Sequence, residues 1–337
     1  MSHEPGRPKG TGRSRPTRDR TLILAAVGLI VVVAAFFSSY ASALGKPSAR
    51  HLPVAVTAPP AVIGKLTASP ALTVRAVPDL ASARRLVEDR AVYGALALPR
   101  TGPITLLVAN GGGHAVAVIL RQLGQQIARA RGTQLTTYDV APASSSDPNG
   151  TVEFYCIAFL MLGAALGASV LSRIMGPVRR LPDALRRLGW ISLYAGLLSL
   201  VVTFLADVVF GALIGHFALL FLTLWLFVAA VCLAVTGTAS RAGMAASLAL
   251  ILVLIALGNP SSGGPVPRPL LNGFYSRLNP VLPQGAALSA LRGVQYFGNH
   301  GISPALLCLA IWAAAGIALL AAAALGWPGR SGPARPG

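Results

Sequence analysis

Residues Thr21–Leu44, TLILAAVGLIVVVAAFFSSYASAL, form an apolar run without a single charged side chain. A bilayer core of ~30 Å is crossed by about 20 apolar residues in a helix, because backbone left unpaired in lipid is too costly. Five more such runs follow, at about 154–171, 190–214, 217–236, 242–257 and 303–326. The last opens on Ser303-Pro304, a good N-cap followed by proline at the first helical position. Charged residues make up only 11% of the chain, against roughly 25% in soluble domains. The pattern predicts a mainly α membrane protein: six transmembrane helices, one plus five, with a small extracytoplasmic α/β domain between the first two.

The first run has a rival reading. Ala41-Ser42-Ala43 resembles a signal-peptidase site, but the apolar stretch exceeds the usual core of a signal peptide, which favours an uncleaved anchor. Basic residues then set the orientation. They crowd the amino tail 1–20 (Arg7, Lys9, Arg13, Arg15, Arg18, Arg20), the loop between spans two and three (Arg173, Arg179, Arg180, Arg186, Arg187), the link at Arg241 and the tail 327–337 (Arg330, Arg335). With six spans all four segments fall on one side, so both termini are expected in the cytoplasm of a bacterial cell membrane. The net charge of +18 is spent beside apolar runs rather than interleaved with aromatics, so nucleic acid is not an expected partner.

Residues 45–152 read as the outer domain. Strands are expected at Leu52–Thr57, Thr73–Val77, Val92–Leu98, Ile104–Val108 and Leu135–Val140, with helices at Asp79–Arg90 and Gly113–Arg131. The turn Asn110-Gly111-Gly112-Gly113 before the second helix could cradle phosphate. It lacks a G-x-x-x-x-G-K-[ST] pattern and a ribose-binding acid downstream, which favours a plain turn. Residues 143–150 (ASSSDPNG) are expected to be a flexible tether into the second span.

Single residues narrow the chemistry further. Cys156, Cys232 and Cys308 each lie in an apolar run and form no metal or disulfide spacing. No catalytic constellation is present, so neither an enzyme nor a cofactor is expected. Asp207 is the one acid well inside a span, where a charge costs at least about 2.5 kcal/mol. It is expected to face the bundle interior or to be protonated, with His216 or Arg292 as candidate partner. Glu153, at the mouth of the second span, is expected to be solvated. Around Arg179, Arg180, Arg186 and Arg187, Leu181, Leu185 and Leu188 alternate with charge as in a short amphipathic helix, suited to anionic lipid or a cytoplasmic partner. Segment 258–302 is too proline-rich for a span. Pro269–Val294 is expected to form short helices in or along the outer leaflet.

The order of strand, helix DLASARRLVEDR and phrase RAVYGALALP resembles the extracytoplasmic domain of the YhgE/Pip and DUF3533 group. The run GNPSSGGP, then PLLNGFY, LPQGA and LRG, is similar to the segment before the last span in ABC-2-type membrane subunits. The outer domain lacks the long coiled-coil insertion of larger relatives, and Ala58-Pro59-Pro60 replaces their Asn/Asp-rich turn. The resemblance implies a permease subunit, homodimeric, that exports a substrate using a separate ATP-binding chain. The alternative is a cell-envelope scaffold or phage-type surface receptor.

Overall fold

The computed structural model describes residues 15–326; the tail 327–337 and most of the basic amino tail lie outside the described residues. The fold is mainly helical, and six helices are long and apolar enough to cross a membrane. They are α1 (Arg15–Leu44), α5 (Val152–Met175), α6 (Leu181–Phe204, prolonged by a π turn at Leu205–Val209), α7 (Phe217–Ala242), α8 (Met244–Val253, prolonged by a π turn at Leu254–Gly258 and the short α9, Asn259–Ser261) and α12 (Ser303–Ala324). The chain is a multi-pass membrane protein on this ground.

Helix α7 is the hub, buried continuously from Phe227 to Gly237 against α5, α6, α8 and α12. Helix α12 crosses it backbone to backbone. A Cβ on Gly316 would lie 2.3 Å from the Leu233 carbonyl carbon, and one on Gly237 would lie 2.6 Å from the Gly316 oxygen. Between helices in lipid, such close van der Waals packing replaces the missing hydrophobic drive. The outer faces carry exposed Phe37, Phe159, Leu197 and Ile311, a surface suited to acyl chains.

Two spans differ from their apolar runs. Helix α6 begins at Leu181, not 190. The stretch expected to be a separate basic loop helix is its first turns, and only Gly176–Arg180 links it to α5. Asp183 explains the early start: its carboxylate accepts from the backbone N–H groups of Arg179 and Arg180 at 3.2 and 3.1 Å, with Pro182 in the first turn. The 29 residues of this helix rise about 43 Å, so roughly two turns stand clear of a ~30 Å core. The helix also ends early, at Val209, before Gly211 with φ +60°.

The fifth span continues through Asn259-Pro260. Pro260 has no N–H to offer the preceding turn. The stranded carbonyls are served from outside: Ser39 Oγ of α1 donates to Ala256, and Gln284 Nε2 donates to Leu254 at 2.7 Å.

Between α1 and α5 lies an α/β domain. Strands β1 (Leu52–Thr57), β2 (Leu72–Ala76), β3 (Gly94–Ala97), β4 (Ile104–Val108) and β5 (Leu135–Asp139) form one sheet in the order β2-β1-β3-β4-β5. All neighbours are parallel except β3–β4. Helices α2 (Pro60–Thr67) and α4 (His114–Arg131) cover one face, and α3 (Leu80–Glu88) covers the other. Helix α2 has no counterpart among the expected elements; Pro60 at its first position starts it.

After α9 the chain forms α10 (Gly273–Leu278) and α11 (Pro283–Tyr296). Helix α11 is buried over most of its length against α5, α7 and α12. The segment before it reaches the other way: Val266, Leu270, Leu271 and Tyr275 join the core on the α2/α4 face of the sheet. The proline-rich stretch is therefore the wedge between domain and bundle.

Candidate functional site

The most charged part of the interior is that wedge. Arg292 of α11 is 8% exposed in its side chain, and Glu153 of α5 is 1% exposed. Arg292 Nε donates to Glu153 Oε2 at 2.7 Å, Nη1 to the Gly263 carbonyl at 2.9 Å and Nη2 to that of Gly264 at 3.4 Å. The Gly263-Gly264 turn can lie against them because it has no side chains: Gly263 has φ +86°, and a Cβ on Gly264 would meet the Phe154 ring at 2.5 Å. The buried Tyr296 hydroxyl lies beside Glu153, outside good hydrogen-bond geometry. Burial, and next the Glu153 charge, push that phenol's pKa up.

Two expectations are corrected here. Glu153 is not solvated; it is the most deeply buried acid among the described residues. Arg292 is not the partner of Asp207, because Glu153 holds it. Asp207 sits in the π turn that ends α6, only half-buried, so it lies near the end of its span rather than at its centre. It has no hydrogen bond or ion pair, and His216 is exposed. The cost of a mid-bilayer charge therefore does not apply to it.

The domain edge facing α11 is built to match. The glycine-rich turn is a docking surface: a Cβ on Gly111 would strike the Tyr296 ring at 2.3 Å, and one on Gly113 would strike Pro267 at 2.6 Å. The N–H groups of Gly111, Gly112 and Gly113 are all bonded within the domain, to Ala141, Ala109 and Asn110. None is left for a phosphate. Asp139 fixes the turn by accepting from the Asn110 side chain at 2.7 Å and its backbone N–H at 3.2 Å.

Arg90 follows α3 with φ +60°, a left-handed position that normally takes glycine. Its guanidinium reaches across the junction. Nη1 donates to the Ser289 carbonyl at 2.9 Å, Nη2 to Ser289 Oγ at 3.1 Å, and the group lies 5.3 Å from the centre of the Phe297 ring. Beside it, His300 and Asp89 approach to 3.2 Å.

The supposed tether is also packed. Ser144 Oγ donates to the Gly211 carbonyl at 2.9 Å, and buried Asp147 accepts from the Thr151 and Val152 N–H groups at 3.0 and 2.7 Å, capping α5. It could have been read from the sequence as a capping aspartate. The Glu153–Arg292 pair left a fainter signal: one acid and one base, each alone among small and apolar neighbours.

At the opposite end of the bundle, Arg179, Arg180 and Arg186 are exposed. Arg187 differs: it is 2% exposed and donates to Ser240 Oγ at 3.1 Å and to the Gly176 carbonyl, tying the ends of α5, α6 and α7 together. As a residue for lipid or partner contact it is therefore withdrawn.

The chain matches no protein-family model, no curated protein and no solved structure.

Proposed function

We propose that this chain is the membrane permease subunit of an ABC-2-type export system, working as a homodimer with ATP hydrolysed on a separate chain. The observation that carries this reading is the burial of α11. The segment whose phrasing resembles ABC-2 subunits is a helix set into the bundle beside α5, α7 and α12, not a surface loop. Non-helical backbone leading to such an element survives near lipid only where protein covers it, and here the domain covers it. Arg179, Arg180 and Arg186 stay exposed at the far end of α5 and α6, where anionic lipid or an ATPase could engage them. The excess of basic residues at that end supports a cytoplasmic position for it and for both termini, with the α/β domain outside.

The test is purification of the tagged chain from its native membrane, followed by reconstitution. An ATPase should co-purify, and its hydrolysis in proteoliposomes should change when the permease is included. No ATPase, and no effect on hydrolysis, would defeat the exporter reading in favour of an envelope scaffold or receptor. Cysteines replacing exposed Ser145 and Arg186 should label from opposite sides of the membrane; same-side labelling would refute the orientation.

A further inference from the structure

The junction of domain and bundle holds a partly open cavity of about 250 Å³. Three arginines line it: Arg90 from the domain, Arg268 from the proline-rich stretch and Arg292 from α11. Among the described residues, the carboxylates on these groups are Glu153 and Asp89. Glu153 is consumed by Arg292, and Asp89, on the rim, is exposed and turned to His300. Arg90 spends its charge on neutral partners, the Ser289 and His300 oxygens. Arg268 bonds only through Nε, to the Ser276 carbonyl at 3.2 Å, so its two terminal amino groups are without a partner.

Tyr93 lines the same cavity, and its hydroxyl makes no hydrogen bond. Burial pushes its phenol pKa up, while the charges of Arg268, Arg90 and Arg292, in that order, pull it down; all three guanidiniums act on this one hydroxyl. Burial also lowers the pKa of Arg90, and the Arg292 charge adds to the effect. Three guanidiniums, one of them exposed and one paired with Glu153, leave this cavity with an excess of positive charge that an anion would balance.

We infer that this cavity binds a phosphate-bearing anion, held by the free terminal amino groups of Arg268, by the Arg90 N–H groups not already bonded to Ser289 and His300, and by the Tyr93 hydroxyl, with Arg292 fixed behind them by Glu153. Guanidinium forks match phosphate oxygens in a two-pronged way that lysine cannot. Two sources offer this chemistry: a phospholipid headgroup and a soluble phosphate ester. Glu153 is the second residue of the span Val152–Met175, so the cavity is level with the end of a span, within reach of headgroups. The inference does not depend on the exporter reading and holds whether or not an ATPase co-purifies.

The test uses the full chain in nanodiscs of phosphatidylcholine. One arm titrates inorganic phosphate and glycerol 3-phosphate against chloride at equal ionic strength, reading binding by calorimetry. The other replaces a tenth of the lipid with phosphatidylglycerol and counts retained anionic lipid by native mass spectrometry. Binding in the first arm identifies a soluble phosphate; retention in the second alone identifies a headgroup. In either case Arg268→Gln, an exposed change that leaves the Glu153–Arg292 pair intact, should weaken binding about tenfold, the loss of one charge-assisted contact. Arg90→Gln should weaken it as well. No binding in either arm, or equal binding by wild type and Arg268→Gln, overturns the inference.

Discussion

Replacing Glu153 by Gln removes one charge and leaves Arg292 buried against it. Two unit charges ~4 Å apart attract by about 4 kcal/mol at an effective dielectric of 20, and breaking such a buried pair costs about 3–5 kcal/mol. The Gly263 and Gly264 carbonyls still accept from Arg292 at 2.9 and 3.4 Å, and the new amide oxygen can take the Nε–H. These place the loss at the lower end, about 3 kcal/mol. A Glu153→Leu/Arg292→Met double variant removes both charges. It strips both glycine carbonyls of their donor, at about 1 kcal/mol each, so it should settle roughly 1–2 kcal/mol below wild type, above the single Glu153→Gln. The assay is SDS-induced unfolding in mixed micelles followed by tryptophan fluorescence, with Trp190, Trp225 and Trp312 all in the bundle. Glu153→Gln within about 0.5 kcal/mol of wild type, the range of an ordinary surface change, would refute the reasoning. So would a double variant no better than the single one.

Three further outcomes are expected. Gly316→Ala puts a methyl group into the α7 backbone and should cost at least 1–3 kcal/mol in the same assay; tolerance would mean that the helices do not cross there. Ser39→Ala removes the hydroxyl that serves the Ala256 carbonyl and bonds the Tyr275 hydroxyl at 2.7 Å; it should raise amide exchange in α8 and α10, while equal exchange would refute the link. Asp79 caps α3 by accepting from the Ser82 N–H at 2.6 Å, which lowers its pKa. Its stabilisation is therefore full above the ordinary carboxylate pKa and is lost as pH falls through the lowered folded-state value. Asp79→Ala should reduce protection of α3 at pH 7 and abolish that acid-side dependence; an unchanged pH profile would speak against the cap.

The spans were legible because lipid demands a long apolar helix, and nothing soluble demands the same of Thr21–Leu44 or Phe217–Thr236. Their ends were less so. Hydropathy could not see that Asp183 and Pro182 start α6 among arginines, nor that Ser39 and Gln284 would carry α8 past Pro260. In the domain, short β-branched runs mark strands, but neither the sheet order nor the antiparallel β3–β4 pairing follows from alternation. The site was the least legible part. Arg292 and Glu153 are 139 positions apart, and with one sequence no local pattern joins them. Asp207 drew notice because a lone acid in an apolar run is conspicuous, whereas Glu153 sits at the run's end and passed for a surface residue.

The shared core leads to a last consequence. Val266, Leu270, Leu271 and Tyr275 are buried with Leu52, Val54, Leu106 and Leu120 of the domain, and Ser48 and Arg50 donate backbone N–H bonds to the Leu270 and Pro269 carbonyls. Cutting the domain out as residues 45–152 would return those contacts to water. At roughly 1.5–3 kcal/mol for each large apolar side chain, four such contacts are worth about 6–12 kcal/mol as an upper estimate, the same size as the ~5–15 kcal/mol that holds a whole domain together. The excised domain should therefore show no cooperative thermal transition by circular dichroism. Fusing residues 258–282 to it through a flexible linker should restore one. A sharp transition in residues 45–152 alone would mean that the sheet stands by itself. The proline-rich wedge would then be something that the domain touches rather than part of what folds it.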